Sequence, residues 1–268
     1  MKINYTYVNP GGNPTILVTS KLSRKDYSKV AKKFLQLKDP PCEQVGFLEA
    51  PRNPKAEMRV QMMGGEFCAN ALRSTASMLA LDKAKYSLKK SFSFNLESSG
   101  TNKIIRGRSK INAQGKVSWA EIEFPISKKQ ISIKNVALGK LVTLEGITHL
   151  VITKKLSKNN INYTQLIPKL YKLLKISNKA FGLIFCTKIS KTKLKIAPIV
   201  YVPATESVIF ETSCASGAIA AVLASGSYKQ HKKISVLQPS KFWLEISANK
   251  SSFKIGGKIS SIQPQQTH

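Results

Sequence analysis

Two short segments of this chain match each other and fix much of what it can fold into. Cys68 lies in Glu66-Phe67-Cys68-Ala69-Asn70-Ala71-Leu72, and Cys214 in Thr212-Ser213-Cys214-Ala215-Ser216-Gly217-Ala218. Each cysteine follows a strand-like run and a short turn. Each opens a run of small and apolar residues that reads as a helix, over Ala69–Ala80 and Ala215–Ser225. A strand, a cysteine and a helix in each half imply a faint internal duplication in a mixed α and β fold. A helix start gathers unpaired N–H groups and the positive end of the helix dipole. It therefore suits an anion and is expected to lower the pKa of a thiol placed there. Two such thiols suggest a pair facing one bound anion. That arrangement moves a proton between the two faces of a carbon next to a carboxylate. The competing reading is core filler, because free cysteine is among the most buried residue types. The doubled context favours the pair.

Other segments read as ordinary mixed structure. Ile16–Val18, Gln44–Glu49, Arg59–Met63, Phe92–Leu96 and Val117–Phe124 look like strands in the first half. Ser23–Leu35 reads as an amphipathic helix, with Ser23 and Asp26 placed as a capping box. In the second half, Thr164–Ile176 is a lysine-rich helix expected to turn Leu166, Leu170, Leu173 and Leu174 inward. Phe181–Cys186, Leu194–Val202, Glu206–Phe210, Ile234–Leu237, Phe242–Ser247 and Phe253–Ile262 read as strands. Pro125–Lys129 is the best boundary between the halves.

Composition excludes several classes. With 268 residues, 42% of them hydrophobic, the chain can bury one large or two ordinary cores. No stretch approaches the length of a membrane span, and the start alternates like a strand rather than a leader. The cysteines show no C-x-x-C spacing and the three histidines do not cluster, so no metal site is expected and the thiols should stay reduced in a cytoplasmic protein. His149 and His231 read as structural or surface residues. The net charge of +29 invites a nucleic-acid reading, but all but six of the 43 basic residues are lysine and they are spread along the chain. Arginine is the usual choice for bidentate phosphate and base contacts. A solvated lysine surface with weak, salt-sensitive binding to polyanions is the expectation, with no specific nucleic acid and no membrane partner.

Gly11-Gly12-Asn13-Pro14-Thr15, Phe67-Cys68-Ala69-Asn70 and Ser213-Cys214-Ala215-Ser216-Gly217 resemble the motifs of the diaminopimelate epimerase superfamily. Cys42-Glu43-Gln44-Val45-Gly46-Phe47-Leu48-Glu49, Glu66-Phe67-Cys68 and Glu211-Thr212-Ser213-Cys214 resemble one branch of it, the histidine racemases of staphylopine-type metallophore biosynthesis. The resemblance runs from Asn9 to about Gly257. It implies an α/β (α+β) protein of two similar domains with the active site in the cleft between them. Residues 1–126 would carry Cys68, residues 127–255 would carry Cys214, and a strand at 256–268 would return to the first domain. It implies a cofactor-independent amino-acid racemase with Cys68 and Cys214 as the acid and base, a small-molecule substrate and a homodimer. Asn13 would hold the substrate's amino or carboxylate group. Asn70 and Ser216, with the amides beside Ala69 and Ala215, would hold the carboxylate, and Glu43 would meet the side chain.

The departures narrow the substrate. Alanine stands at Ala69 and Ala215 where the superfamily usually has glycine. Ala204-Thr205-Glu206-Ser207 lacks the arginine that grips a second carboxylate, Met62 or Met63 replaces an expected asparagine, and Ile147 falls where an amide is expected. Histidine is the favoured substrate. The alternatives are diaminopimelate, another amino acid, or a basic polyanion-binding protein on the same fold. The phenazine-type isomerases share a G-N-P motif like Gly12-Asn13-Pro14 but lack the two thiols.

Overall fold

The structure is a computed structural model that describes residues 2–125, 131–153, 161–230, 232–248 and 252–268. The expected boundary at Pro125–Lys129 falls largely on residues 126–130, outside the described set, and so does His231.

Strands dominate. The first half runs β1 (Asn4–Asn9), β2 (Thr15–Val18), α1 (Tyr27–Leu35), β3 (Gln44–Glu49), β4 (Met58–Met62), α2 (Ala69–Ala84), β5 (Ser91–Ser98), β6 (Ile105–Ile111) and β7 (Val117–Pro125). The second runs β8 (Ser132–Val136), β9 (Gly139–Leu144), β10 (Ile147–Ile152), α3 (Tyr163–Leu173), β11 (Ala180–Lys188), β12 (Lys193–Val202), β13 (Ser207–Phe210), α4 (Ala215–Ser225), β14 (Lys233–Leu237), β15 (Trp243–Ala248) and β16 (Ser252–Lys258). Two short strands, β17 (Ser261–Ile262) and β18 (Gln266–Thr267), pair with β1.

The pairing repeats itself. In the first half, α1 crosses between parallel β2 and β3, α2 crosses between parallel β4 and β5, and β5, β6 and β7 form an antiparallel meander. In the second half, α3 crosses between parallel β10 and β11, α4 between parallel β12 and β14, and β14, β15 and β16 form the meander. A parallel pair needs such a crossover, and a helix is the usual one. The last meander strands, β7 and β16, pair antiparallel from Trp119↔Lys258 to Pro125↔Ser252 and join the halves.

The core follows from the two cysteine-led helices. Every residue from Ala215 to Ala224 of α4 is buried, as a helix apolar on all sides must be. Ser74, Thr75 and Ser77 of α2 are buried as well, and Thr75 and Ser77 return their hydroxyls to the carbonyls of Ala71 and Arg73. Leu72, Ala76, Ile219 and Val222 share one apolar cluster with Phe94, Ile122, Phe253 and Ile255. Smaller clusters sit under α1, around Phe34 and Phe47, and under α3, around Ile167 and Leu170.

Some local expectations fail. Ser23 makes no side-chain cap, because Arg24–Asp26 winds as a 3-10 turn before α1 begins at Tyr27. Asp26 then precedes the helix without capping it. On α3, Leu170 is buried but Leu173 is 75% exposed, since it lies off the stripe of Ile167, Leu170, Tyr171 and Leu174 that packs on the core. The meander strand β6 and the strands β8, β9 and β10 were not foreseen. Their sequences mix lysine, arginine, glycine and histidine with the apolar residues, which hides the alternation.

Candidate active site

Each cysteine is the N-cap of its helix. Cys68 has φ −133° and ψ 109°, and its sulfur accepts the N–H of Ala71 at 3.4 Å. Cys214 has φ −128° and ψ 106°, and its sulfur accepts the N–H of Gly217 at 3.3 Å. The extended N-cap residue turns its side chain back over the first helical turn, as serine does in ordinary caps. Both residues line one cavity of about 40 Å³, together with Glu43, Gln44, Met63, Glu66, Asn70, Ala69, Glu211, Ala215 and Ser216. That volume holds about three waters, so the site is narrow in this conformation, with Cys68 and Glu43 half-buried on its wall.

The two sulfurs have different neighbours. The Cys68 thiol donates to Gln44 Oε1 at 2.7 Å. Gln44 is held in that orientation because its Nε2 donates to Thr15 Oγ1 at 2.6 Å, and Thr15 in turn donates to the Asn13 carbonyl. Cys214 Sγ lies 3.6 Å from Ser216 Oγ, which lies 3.0 Å from His149 Nε2. His149 is fully buried and its Nδ1 finds no partner. The ring proton therefore belongs on Nε2, where it is donated to Ser216, and the serine hydroxyl can turn to the sulfur. Burial pushes the His149 pKa down to about 3, so the ring stays neutral.

The expected lowering of the thiol pKa does not occur. Burial pushes Cys68 up to about 12 and Cys214 well above its ordinary value. The amides of the helix starts pull the other way but do not outweigh the lost water, and Glu211 adds to the rise at both sulfurs. Glu211 itself is pushed up to about 8 by burial, with Glu43 and Glu66 adding to it. A carboxyl cluster in a closed cavity costs less when some of its members keep their protons.

The residues expected from the sequence are brought together with adjustments. Asn70 lines the cavity, but its Nδ2 donates to the Ser213 carbonyl and its Oδ1 accepts from Arg73, so it ties one cysteine loop to the other. Glu43 lines the cavity, yet its oxygens already accept the N–H of Thr212 at 2.8 Å and its hydroxyl at 2.5 Å. Asn13 is buried but is not on the cavity wall; its backbone N–H donates to Thr212 Oγ1 at 2.7 Å. Ala69, Ala215 and Ser216 line the cavity. Gln44, Glu66 and Glu211 had been given no role, and His149, read as a structural or surface residue, is buried with its Nε2 3.0 Å from Ser216 Oγ. The acidic residues Glu66 and Glu211, two and three residues before the cysteines, were the available signal. No group of three or more histidine, cysteine, aspartate or glutamate residues suited to a metal ion occurs among the described residues.

Comparison with known proteins gives the family and the fold. Residues 2–261 match the family described as the histidine racemase CntK N-terminal domain. A histidine racemase of Fusobacterium nucleatum (strain ATCC 23726) is 33% identical over 261 residues, covering 96% of this chain and 94% of the relative. A histidine racemase of Staphylococcus aureus (strain Mu50) is 27% identical over 80% of this chain and 77% of its own length. Among solved structures, a hydroxyproline epimerase from Agrobacterium vitis superposes with a TM-score of 0.65 at 10% identity, over 99% of this chain and 91% of its own. A PhzF-family phenazine biosynthesis protein from Bacillus anthracis gives 0.60 at 15% identity, over 99% of both chains. These two share the fold, which is a mixed α/β architecture built mostly of sheet. The chain belongs to the histidine racemase CntK N-terminal domain family and is an isomerase.

Proposed function

We propose that this protein interconverts L- and D-histidine without pyridoxal phosphate or metal, using Cys68 and Cys214 as the acid and base. The observation that carries this reading is the pair of matching N-cap thiols on one narrow cavity. One sulfur, as thiolate, removes the α-proton from one face. Charge flows onto the substrate carboxylate, where the N–H groups of the two helix starts receive it. The other sulfur, as thiol, delivers a proton to the opposite face. In the reverse direction the sulfurs exchange roles. Neither thiol ionises readily in the empty cavity, so the substrate's ammonium supplies a positive charge that lowers the cost of a buried thiolate.

In the same reading the two halves are similar domains of the diaminopimelate epimerase fold, at residues 1–126 with 256–268 returning and at 127–255. The cavity is the cleft between them. Glu43 presents its remaining lone pairs to the side chain, Asn13 supports the amino or carboxylate group, and Asn70 and Ser216 border the carboxylate. A homodimer in the cytoplasm, making D-histidine for a metallophore, completes the proposal.

The test is to incubate the protein with L-histidine in D2O, with no added cofactor. D-Histidine should appear with deuterium on the α-carbon, and Cys68→Ser or Cys214→Ser should each stop racemisation. Efficient epimerisation of LL-diaminopimelate with inert histidine would overturn the assignment.

A further inference from the structure

Three carboxyl groups line the cavity, and two are already engaged. Glu43 holds the backbone and hydroxyl of Thr212, and so fixes the loop that carries Cys214. Glu211 lies against Cys214 itself. Glu66 differs. Among the described residues its side chain receives only backbone amides, from Gly64 at 2.9 Å and from its own residue. A carboxylate offers about four acceptor positions, so Glu66, like Glu43, keeps capacity beyond its two bonds, but unlike Glu43 it holds no distant segment of the chain in place.

The surroundings of Glu66 are built rather than incidental. Ser99 Oγ donates to its carbonyl at 2.6 Å and accepts the N–H of Met62 at 2.9 Å, so the backbone here cannot drift. At Gly64 a Cβ would strike both Val202 and the Glu66 carboxylate. The missing side chain lets this turn lie against β12. Met63, Val200, Val202, Ile209 and Ala180 make the adjoining wall apolar. Lys179 is the cation that acts on this carboxyl, and it lies at an exposed position.

We propose that Glu66 reads the substrate's side chain, accepting a hydrogen bond from the rim of a flat ring whose faces rest on Met63 and Val202. This rests on the racemase reading above and names the side-chain class that the site takes: a heteroaromatic ring able to share a proton. An imidazole suits a buried carboxyl in either protonation state. A carboxylate accepts from an imidazolium N–H, and a carboxylic acid donates to a bare ring nitrogen. One proton lies between the two groups in both cases. A substrate with a second carboxylate would meet a like charge here whenever Glu66 is ionised.

The experiment compares Glu66→Gln, Glu66→Asp and Glu66→Leu with wild type, following KM and kcat for L-histidine and α-deuterium uptake by L-methionine. Hydrogen bonds to charged groups carry enough energy for a change of about tenfold or more. Glu66→Gln should raise the KM for histidine about tenfold while kcat changes far less, and Glu66→Asp should fall between it and wild type. Glu66→Leu should shift the preference toward methionine. An unchanged KM, or an equal loss of kcat with both substrates, would overturn the assignment. A lowered melting temperature without a change in KM would do the same and give Glu66 a structural role only. A wild type inert toward histidine but active on an apolar amino acid defeats the histidine reading itself, and is thus distinguishable from a failure at Glu66 alone.

Discussion

Burial sets the working state of Cys68 and Cys214 more strongly than their helix starts do. If Cys68 and Cys214 act as the proposed acid and base, the reactive form of the base is the thiolate; its pKa is raised, so the reactive fraction grows as pH rises. We expect kcat/KM for histidine to climb between about pH 7 and pH 9, toward tenfold per unit where one ionisation limits the rate. A pH–rate profile measures this, and a plateau beginning below neutrality would contradict it. The two sulfurs and the Glu211 carboxyl titrate together, so the apparent value belongs to the group. At this scale the cysteines were legible because an N-cap is a local pattern. Gln44 on Cys68 and His149 on Ser216 were not, because those contacts join residues 24 and 67 positions apart. The sign of the thiol shift was also illegible, since a sequence shows the helix start but not how completely water is removed.

Strand register determines where His149 can sit. On β10 it faces Gly182 of β11, and a Cβ at that glycine would overlap the imidazole. Gly182→Ala should therefore displace the ring and loosen Ser216 from its place beside Cys214. Overpacking of this kind costs about 1–3 kcal/mol. Urea unfolding should show that loss, and kcat should fall with it. A variant as stable and active as wild type would mean that the ring has room to move. Helices α2 and α4 were legible from their runs of small residues, and β7 from its clean alternation. The meander strand β6 was not: Arg106, Arg108 and Lys110 point outward while Ile105, Gly107, Ser109 and Ile111 point inward, so half of its inward face is not apolar. The capping signature at Ser23 was present in the sequence but lost to a tighter turn.

Across the whole molecule, the charge of +29 belongs to the surface while the cavity is lined by carboxyls. Polyanion binding and turnover should then be separable. The protein should stay on heparin at about 50 mM salt and leave well below about 1 M, as counterion release requires, while racemisation changes little over the same range. A tight, sequence-selective complex with DNA at physiological salt would contradict that separation. The duplicated order of elements was visible in the sequence only as two cysteine contexts. The seam between β7 and β16 was not, since pairing across the chain leaves no local trace. That seam pairs equivalent strands antiparallel, and so relates the halves by an approximate half-turn. A half-turn suits a reaction whose two ends are mirror images. Enantiomers have an equilibrium constant of one, so kcat/KM must be equal for L- and D-histidine however the protein is built. The individual constants are under no such restriction. Gln44 beside one sulfur and Ser216 with His149 beside the other break the rotational match, and that mismatch is free to appear as unequal saturation and unequal turnover of the two hands.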